Sequence, residues 1–214
     1  MIPGEEYWFG NWLVVILSIV LFTIFVIAFL KPFKTRNWGS LGITEAFLVS
    51  LFTEMFGIPL TIYFLSSFLG VPLAPDPLHG HLLAATLAIL GLWSIELGVI
   101  VVMVVSTVML MVAAFLIIDG WRMVYHGGGR LVTTGTYGHV RHPQYLGIIL
   151  GSIAFLIQWA TIPTLIMFPI LTFAYYRLAK KEEKEMVERF GEEYLQYQRR
   201  VPMFLPRLSG SSSS

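Results

Sequence analysis

Within nine residues, Tyr137 to Tyr145, the chain places two tyrosines, two histidines and an arginine: Tyr137, His139, Arg141, His142 and Tyr145. Apolar segments flank this stretch on both sides. Aromatic faces attract cations. An arginine can grip a carboxylate through two parallel hydrogen bonds, and a histidine can take or give a proton. Gly135 and Gly138 allow backbone angles that other residues avoid. Pro143 suits the first turn of a following helix. The plainer reading is an interfacial loop whose aromatic anchors and snorkelling cations meet lipid head groups.

A second stretch, Arg177 to Pro206, holds the paired carboxylates Glu182 and Glu183 among alternating charges. Met186, Phe190, Tyr194, Tyr197 and Val201 recur at helical spacing, an apolar stripe on a wet helix. Gly191 is expected to interrupt that helix, with Glu192 and Glu193 opening a short second one. Charge pairs one turn apart on a solvated helix are the plainer explanation of this stretch.

The elements that carry these residues belong in lipid. Hydrophobic residues make up 56% of the 214 and charged residues 13%, where a soluble domain carries roughly 25% charged residues. The fold class is all-α, a polytopic membrane helical bundle of about five or six spans, given that a span takes roughly 20 apolar residues. Residues 12–30 read as a first span rather than a signal peptide, because Glu5 and Glu6 stand where a positive segment would be. Residues 43–69 read as a second, kinked at Gly57 and Pro59. As one helix, residues 81–125 would run about 68 Å, so a break near Ser94–Gly98 is expected. Gly127 to Gly129 end that region, and 145–176 read as a short hairpin turning at Thr161 to Pro163, each arm about 15 residues and short for a full span.

This divides the chain into N-terminal transmembrane helices (1–126), a C-terminal catalytic and cofactor-binding region (127–208) and a flexible tail or cloning remnant (209–214). Lys31, Lys34 and Arg36 mark the first loop as cytoplasmic, and the basic C-terminal segment marks its own side likewise. Two full crossings within 81–125 would set those two assignments against each other; the C-terminal region is the one taken as cytoplasmic.

The two stretches, in this order, resemble the isoprenylcysteine carboxyl methyltransferase and phospholipid methyltransferase superfamily. The resemblance rests on Gly135, Tyr137, Arg141, His142, Pro143, Tyr145 and Gly147, then Glu182-Glu183. It continues through Phe190, Gly191, Tyr194 and Tyr197 to Val201, Pro202 and Pro206. It covers about 75 residues. It implies an integral membrane methyltransferase that uses S-adenosyl-L-methionine, releases S-adenosyl-L-homocysteine and methylates a lipophilic acceptor. It also implies a cofactor cleft in which His142 and Glu183, with Glu182 as second choice, are contacts. Gly135, Tyr137, Pro143, Tyr145, Gly147, Tyr194 and Tyr197 complete the cofactor set.

Residue chemistry agrees with that expectation. Tyr137 and Tyr145 suit a sulfonium cation, and Glu182 or Glu183 an amino group. Arg141 or His142 suits a carboxylate. An amine acceptor would need a base, for which Glu182, His139 or His142 is available; a carboxylate or thiolate would not. Glu182, His139 and Arg141 are the candidate catalytic residues.

Glu45, Glu54, Glu96 and Asp119 lie in or near apolar helices, where ionisable groups are expensive. Glu54, just before the kink, is the candidate substrate-binding residue. His79 and His81 flank a turn and read as loop residues rather than a metal pair, so no metal is expected. Chain charge of +1 gives no case for nucleic acid. Cysteine is absent, which removes thiolate chemistry. The expected partners are membrane lipid and the lipophilic acceptor. A sterol-type membrane reductase using NADPH and a non-enzymatic transporter or scaffold are the alternatives.

Overall fold

The computed structural model describes residues 9–29, 38–74 and 76–206. The first-loop cations Lys31, Lys34 and Arg36, the acidic pair Glu5 and Glu6, and the tail 209–214 lie outside the described residues. Every regular element among the described residues is helical. The α-helices are α1 (Trp12–Phe29), α2 (Trp38–Phe52), α3 (Leu60–Leu69), α4 (Pro77–Gly80), α5 (Leu82–Ile89), α6 (Ile95–His126), α7 (Pro143–Gln158), α8 (Ile162–Phe190) and α9 (Glu192–Arg200). A π-helical turn, Thr53–Gly57, extends α2, and a 3-10 turn, Gly135–Gly138, lies before α7. By length and composition α6 and α8 can each cross a membrane, and α2 with α3, bent by 70°, can serve as a third crossing. α1 and α7 are shorter apolar helices.

The chain forms two compact units. The first comprises Met1–Val108 and Ser152–Ala174; the second comprises Met109–Gly151 and Tyr175–Ser214.

In the first unit the expected kink is present, and its cause is local. The π turn and Pro59 leave backbone groups without helical partners. The Glu54 carboxylate accepts the Thr61 N–H at 2.9 Å, and Thr61 Oγ1 accepts the Ile162 N–H at 3.0 Å. Thr23 Oγ1 donates to Glu45 Oε1 at 2.5 Å, which gives that carboxylate a partner on α1. His79 bonds Asp76 through its backbone N–H at 3.0 Å and its ring at 2.7 Å, and His81 Nδ1 donates to the Gln158 carbonyl at 2.6 Å. His79 thus fastens its own turn, and His81 ties the start of α5 to the end of α7. Trp159 packs flush on Gly80, where an added Cβ would lie 2.1 Å from the indole.

One sequence expectation shifts. The break between α5 and α6 falls at Leu90–Ser94, where Gly91 takes φ +70°, not at Ser94–Gly98. Gly98 lies inside α6, and its missing side chain lets Ala84 approach: a Cβ there would meet Ala84 Cβ at 3.1 Å. The second arm of the hairpin and the charged, striped stretch expected after it form one helix that ends at Gly191, as expected. It runs 29 residues without interruption, because the lysines and glutamates after Ala179 are good helix formers.

Candidate functional site

All the expected cofactor residues fall in the second unit. Four local features bring them together. Gly127 to Gly129 end α6, with Gly128 at φ +57° and Gly129 at φ +85°; Arg189 Nη2 holds the Gly129 carbonyl at 2.8 Å. Gly135 turns the chain at φ +60° into the 3-10 turn. Pro143, fully buried, opens α7 in the helix position that needs no N–H. Gly191, at φ +57°, separates α8 from α9.

Arg141 ties three of these segments. Its Nε donates to Glu183 Oε1 at 2.7 Å, and its Nη2 lies 2.6 Å from the same oxygen. Nη1 donates to the carbonyls of Gln198, at 3.1 Å, and of Val201. Those carbonyls sit at the end of α9, where helix C=O groups lack partners. The backbone adds two bonds: Arg141 N–H to the Pro202 carbonyl at 2.9 Å, and His142 N–H to the Met203 carbonyl at 3.2 Å. A short C-terminal strap, residues 201–206, is thereby laid along the loop.

His142 stands between the two carboxylates. Nδ1 is 3.8 Å from Glu182 Oε2, and Nε2 is 3.4 Å from Glu183 Oε1. Nε2 is buried and makes no hydrogen bond. The ring stacks on Tyr145 with centroids 5.5 Å apart and planes within 6°, and Phe204 tilts against it at 5.9 Å. Tyr145 donates its hydroxyl to Glu182 Oε1 at 2.6 Å and packs on the buried Tyr175, centroids 5.1 Å apart. The two glutamates differ in access: the Glu182 side chain is 33% exposed and that of Glu183 is 6%.

The aromatic stripe expected from spacing is a cluster in three dimensions. Tyr194, Tyr197 and Val201 are buried against Leu131, Met186, Val187 and Phe190. Tyr197 donates to the Tyr137 carbonyl at 2.7 Å. Burial pushes the Tyr197 hydroxyl up to about 12, with Arg141 working in the opposite direction. Burial, then the Glu182 charge, raises Tyr137; burial, then the Glu183 charge, raises Tyr194. All three therefore stay protonated, as hydrogen-bond donors and neutral aromatic faces.

The remaining candidates separate by environment. Gly147 is a packing residue: a Cβ there would lie 2.8 Å from the Ala113 carbonyl and from Ile117 Cγ1, so α7 and α6 meet closely at this point. His139 is exposed, and its Nδ1 donates to the Gly135 carbonyl at 3.0 Å. Glu54 belongs to the first unit.

Two contributors escaped sequence reasoning. Tyr175 lies seven residues before Glu182, hence on the same helix face, a spacing that pointed to it. Phe204 lies between Pro202 and Pro206, and only the stiffness those prolines give the segment hinted at a fixed position.

Residues 97–188 match the model of the Isoprenylcysteine carboxyl methyltransferase (ICMT) family. This part of the chain is similar to that methyltransferase superfamily. Protein-S-isoprenylcysteine O-methyltransferase of Homo sapiens is 35% identical over 81 residues, 37% of this chain and 28% of that protein. Methanethiol S-methyltransferase 2 of Bradyrhizobium diazoefficiens is 42% identical over 77 residues, 34% of this chain and 27% of that protein. Methanethiol S-methyltransferase of Pseudomonas deceptionensis is 33% identical over 102 residues, 45% of this chain and 36% of that protein. The matched segments thus cover 27–36% of these relatives' length. The methyltransferase-family match takes in Arg141, His142, Glu182 and Glu183 and stops before α9 and the strap.

Proposed function

We propose that the chain is a multi-pass membrane methyltransferase that uses S-adenosyl-L-methionine on a lipid-soluble acceptor, with its C-terminal region, 127–208, facing the cytoplasm. The single observation that carries this reading is the His142 ring: nine-tenths buried, flanked by two carboxylates, with a buried Nε2 that lies 3.4 Å from Glu183 without making a hydrogen bond. A buried polar atom without a partner is costly, and a ligand that fills it explains its retention.

The residue set fits the methyl donor. Glu182 is the better-placed member of the pair for a cationic amino group, since it is the more exposed. Glu183 is committed to Arg141 and sets the distance to His142. His142 Nε2 is the proposed contact for the donor's polar groups, and Tyr137, Tyr145, Tyr194 and Tyr197 supply neutral aromatic surface. When bound, the cofactor supplies a methyl group already activated by its sulfonium. The protein's share is then orientation and exclusion of water. Arg141, with its donors on Glu183, Gln198 and Val201, is better suited to positioning than to chemistry. Glu182 and His139 are the candidate bases should the acceptor be an amine. Glu54 is the candidate contact on the acceptor side.

The acceptor classes are an isoprenylcysteine-like carboxylate, a phospholipid amine and a small hydrophobic thiol. The human relative's name specifies an isoprenylcysteine O-methyltransferase, and the two bacterial names specify methanethiol. The apolar surroundings favour a lipophilic partner in each case. We infer five or six crossings for the whole bundle, α1 and α7 being the short ones.

The test is transfer of label from methyl-tritiated cofactor to lipid extracts, prenylcysteine analogues and methanethiol, paired with thermal stabilisation by S-adenosylhomocysteine. Stabilisation by that ligand and not by NADPH is the expected result. No stabilisation and no labelled product would end the methyltransferase reading; stabilisation by NADPH alone would favour the reductase.

A further inference from the structure

His142 has two aromatic neighbours. Tyr145 lies parallel to one side of the imidazole, and its position follows from α7, since residues three apart share a helix face. Phe204 lies against the ring at 5.9 Å with an interplanar angle of 46°, and no helix fixes it. Its position depends on the strap, which is fastened at Arg141 Nη1 to the Val201 carbonyl, Arg141 N–H to Pro202 and His142 N–H to Met203. Pro202 and Pro206 limit the strap's freedom on either side of Phe204. The next residue, Leu205, is 79% exposed. The strap therefore turns one large side chain inward, onto the ring whose Nε2 makes no hydrogen bond, and the neighbouring one outward. Phe204 also lies outside the family match at 97–188.

We propose that Phe204 is a positioning residue of the donor site: it fixes the plane of the His142 imidazole and so aims Nε2 at the ligand. The inference rests on the methyl-donor reading above. Arg141 is the anchor that makes this possible, because its bonds to the strap keep Phe204 in reach of the ring. An imidazole held by Tyr145 alone could rotate toward either carboxylate, Glu182 or Glu183, and lose its aim.

The experiment uses the full chain in detergent, with S-adenosylhomocysteine as probe, and two readouts. Calorimetry measures binding. Proton–carbon NMR follows the His142 ring, assigned by its disappearance in His142→Gln. An aromatic contact of this kind corresponds to up to about a tenfold change in affinity, so Phe204→Ala is expected to weaken binding by about that factor. The same substitution should move the His142 ring resonances downfield as one ring current is lost. Phe204→Leu keeps apolar bulk and the fold, yet should show the same resonance shift. Phe204→Tyr should restore both affinity and resonance, and Leu205→Ala should change neither. The proposal is overturned if Phe204→Ala leaves affinity and resonance unaltered, or if Leu205→Ala is as damaging as Phe204→Ala. Absence of binding by the unmodified chain would instead overturn the methyl-donor reading, while an unmoved His142 resonance in Phe204→Ala would still overturn the contact on which the proposal stands.

Discussion

Glu54 and Glu183 are equally buried, each 5% exposed, and they do different work. Glu54, in the first unit, accepts one backbone N–H that a kink has set free. The bond closes a defect in a helix. Glu183, in the second unit, meets a guanidinium and lies 3.4 Å from an imidazole, with a second carboxylate next to it in sequence. Burial of a carboxylate thus does not mark a site by itself. The number of charged groups that converge on it does, together with what they leave unsatisfied.

The sharpest way to break this contrast is to remove each carboxylate in turn. Glu183→Ala strands Arg141 and should cost about 3–5 kcal/mol, the range for breaking a buried pair from one side, with S-adenosylhomocysteine binding lost. Glu54→Ala leaves the Thr61 N–H without an acceptor and should cost about 1–3 kcal/mol, with binding unchanged. Chemical unfolding in detergent with and without the ligand measures both. Equal losses of binding in the two variants would erase the distinction.

Gly147 offers a subtler cut, because the family resemblance groups it with cofactor residues and the packing does not. Gly147→Ala forces a methyl group against the Ala113 carbonyl and Ile117. It should cost about 1–3 kcal/mol by overpacking while the folded fraction binds the ligand normally. Weaker binding at full stability would return Gly147 to the site.

Much of this was legible. The kink at Gly57 and Pro59, the start of α7 at Pro143, the interruption at Gly191 and the tyrosine stripe all follow from backbone restriction or periodicity, which are local. The extent of α8 was legible too, because the stripe at Met186 and Phe190 keeps helical spacing through the change from apolar to charged residues up to Gly191. Gly98 was misread: a glycine needed for close approach carries the same letter as one needed for a turn. The part Arg141 plays could not be read at all. It answers carbonyls at Gln198 and Val201, and main-chain acceptors have no sequence signature.

Smaller effects sharpen the picture further. Tyr197→Phe removes only the bond to the Tyr137 carbonyl and should cost about 0.5–1.5 kcal/mol, read by thermal unfolding. With the Tyr197 hydroxyl raised to about 12 from an ordinary value near 10, the folded state favours the protonated form. Its contribution is full below the ordinary tyrosine value and is lost as pH rises through about 12. Tyrosinate absorbance, followed alongside unfolding, should show the buried tyrosines ionising only as the alkaline transition begins. Ionisation in the ordinary tyrosine range with the fold intact would contradict their burial.

The bonds of Arg141 span 42, 57 and 60 residues of chain. None of them can form while the polypeptide is still short. Closing such long loops is entropically costly until neighbouring segments are already in place. Residues 198–203 should accordingly be late to dock during biogenesis and early to exchange amide hydrogens afterwards. A nascent chain would then reach the bilayer with its loop and helices laid down before it could engage a soluble ligand, which separates membrane insertion from the onset of activity in time.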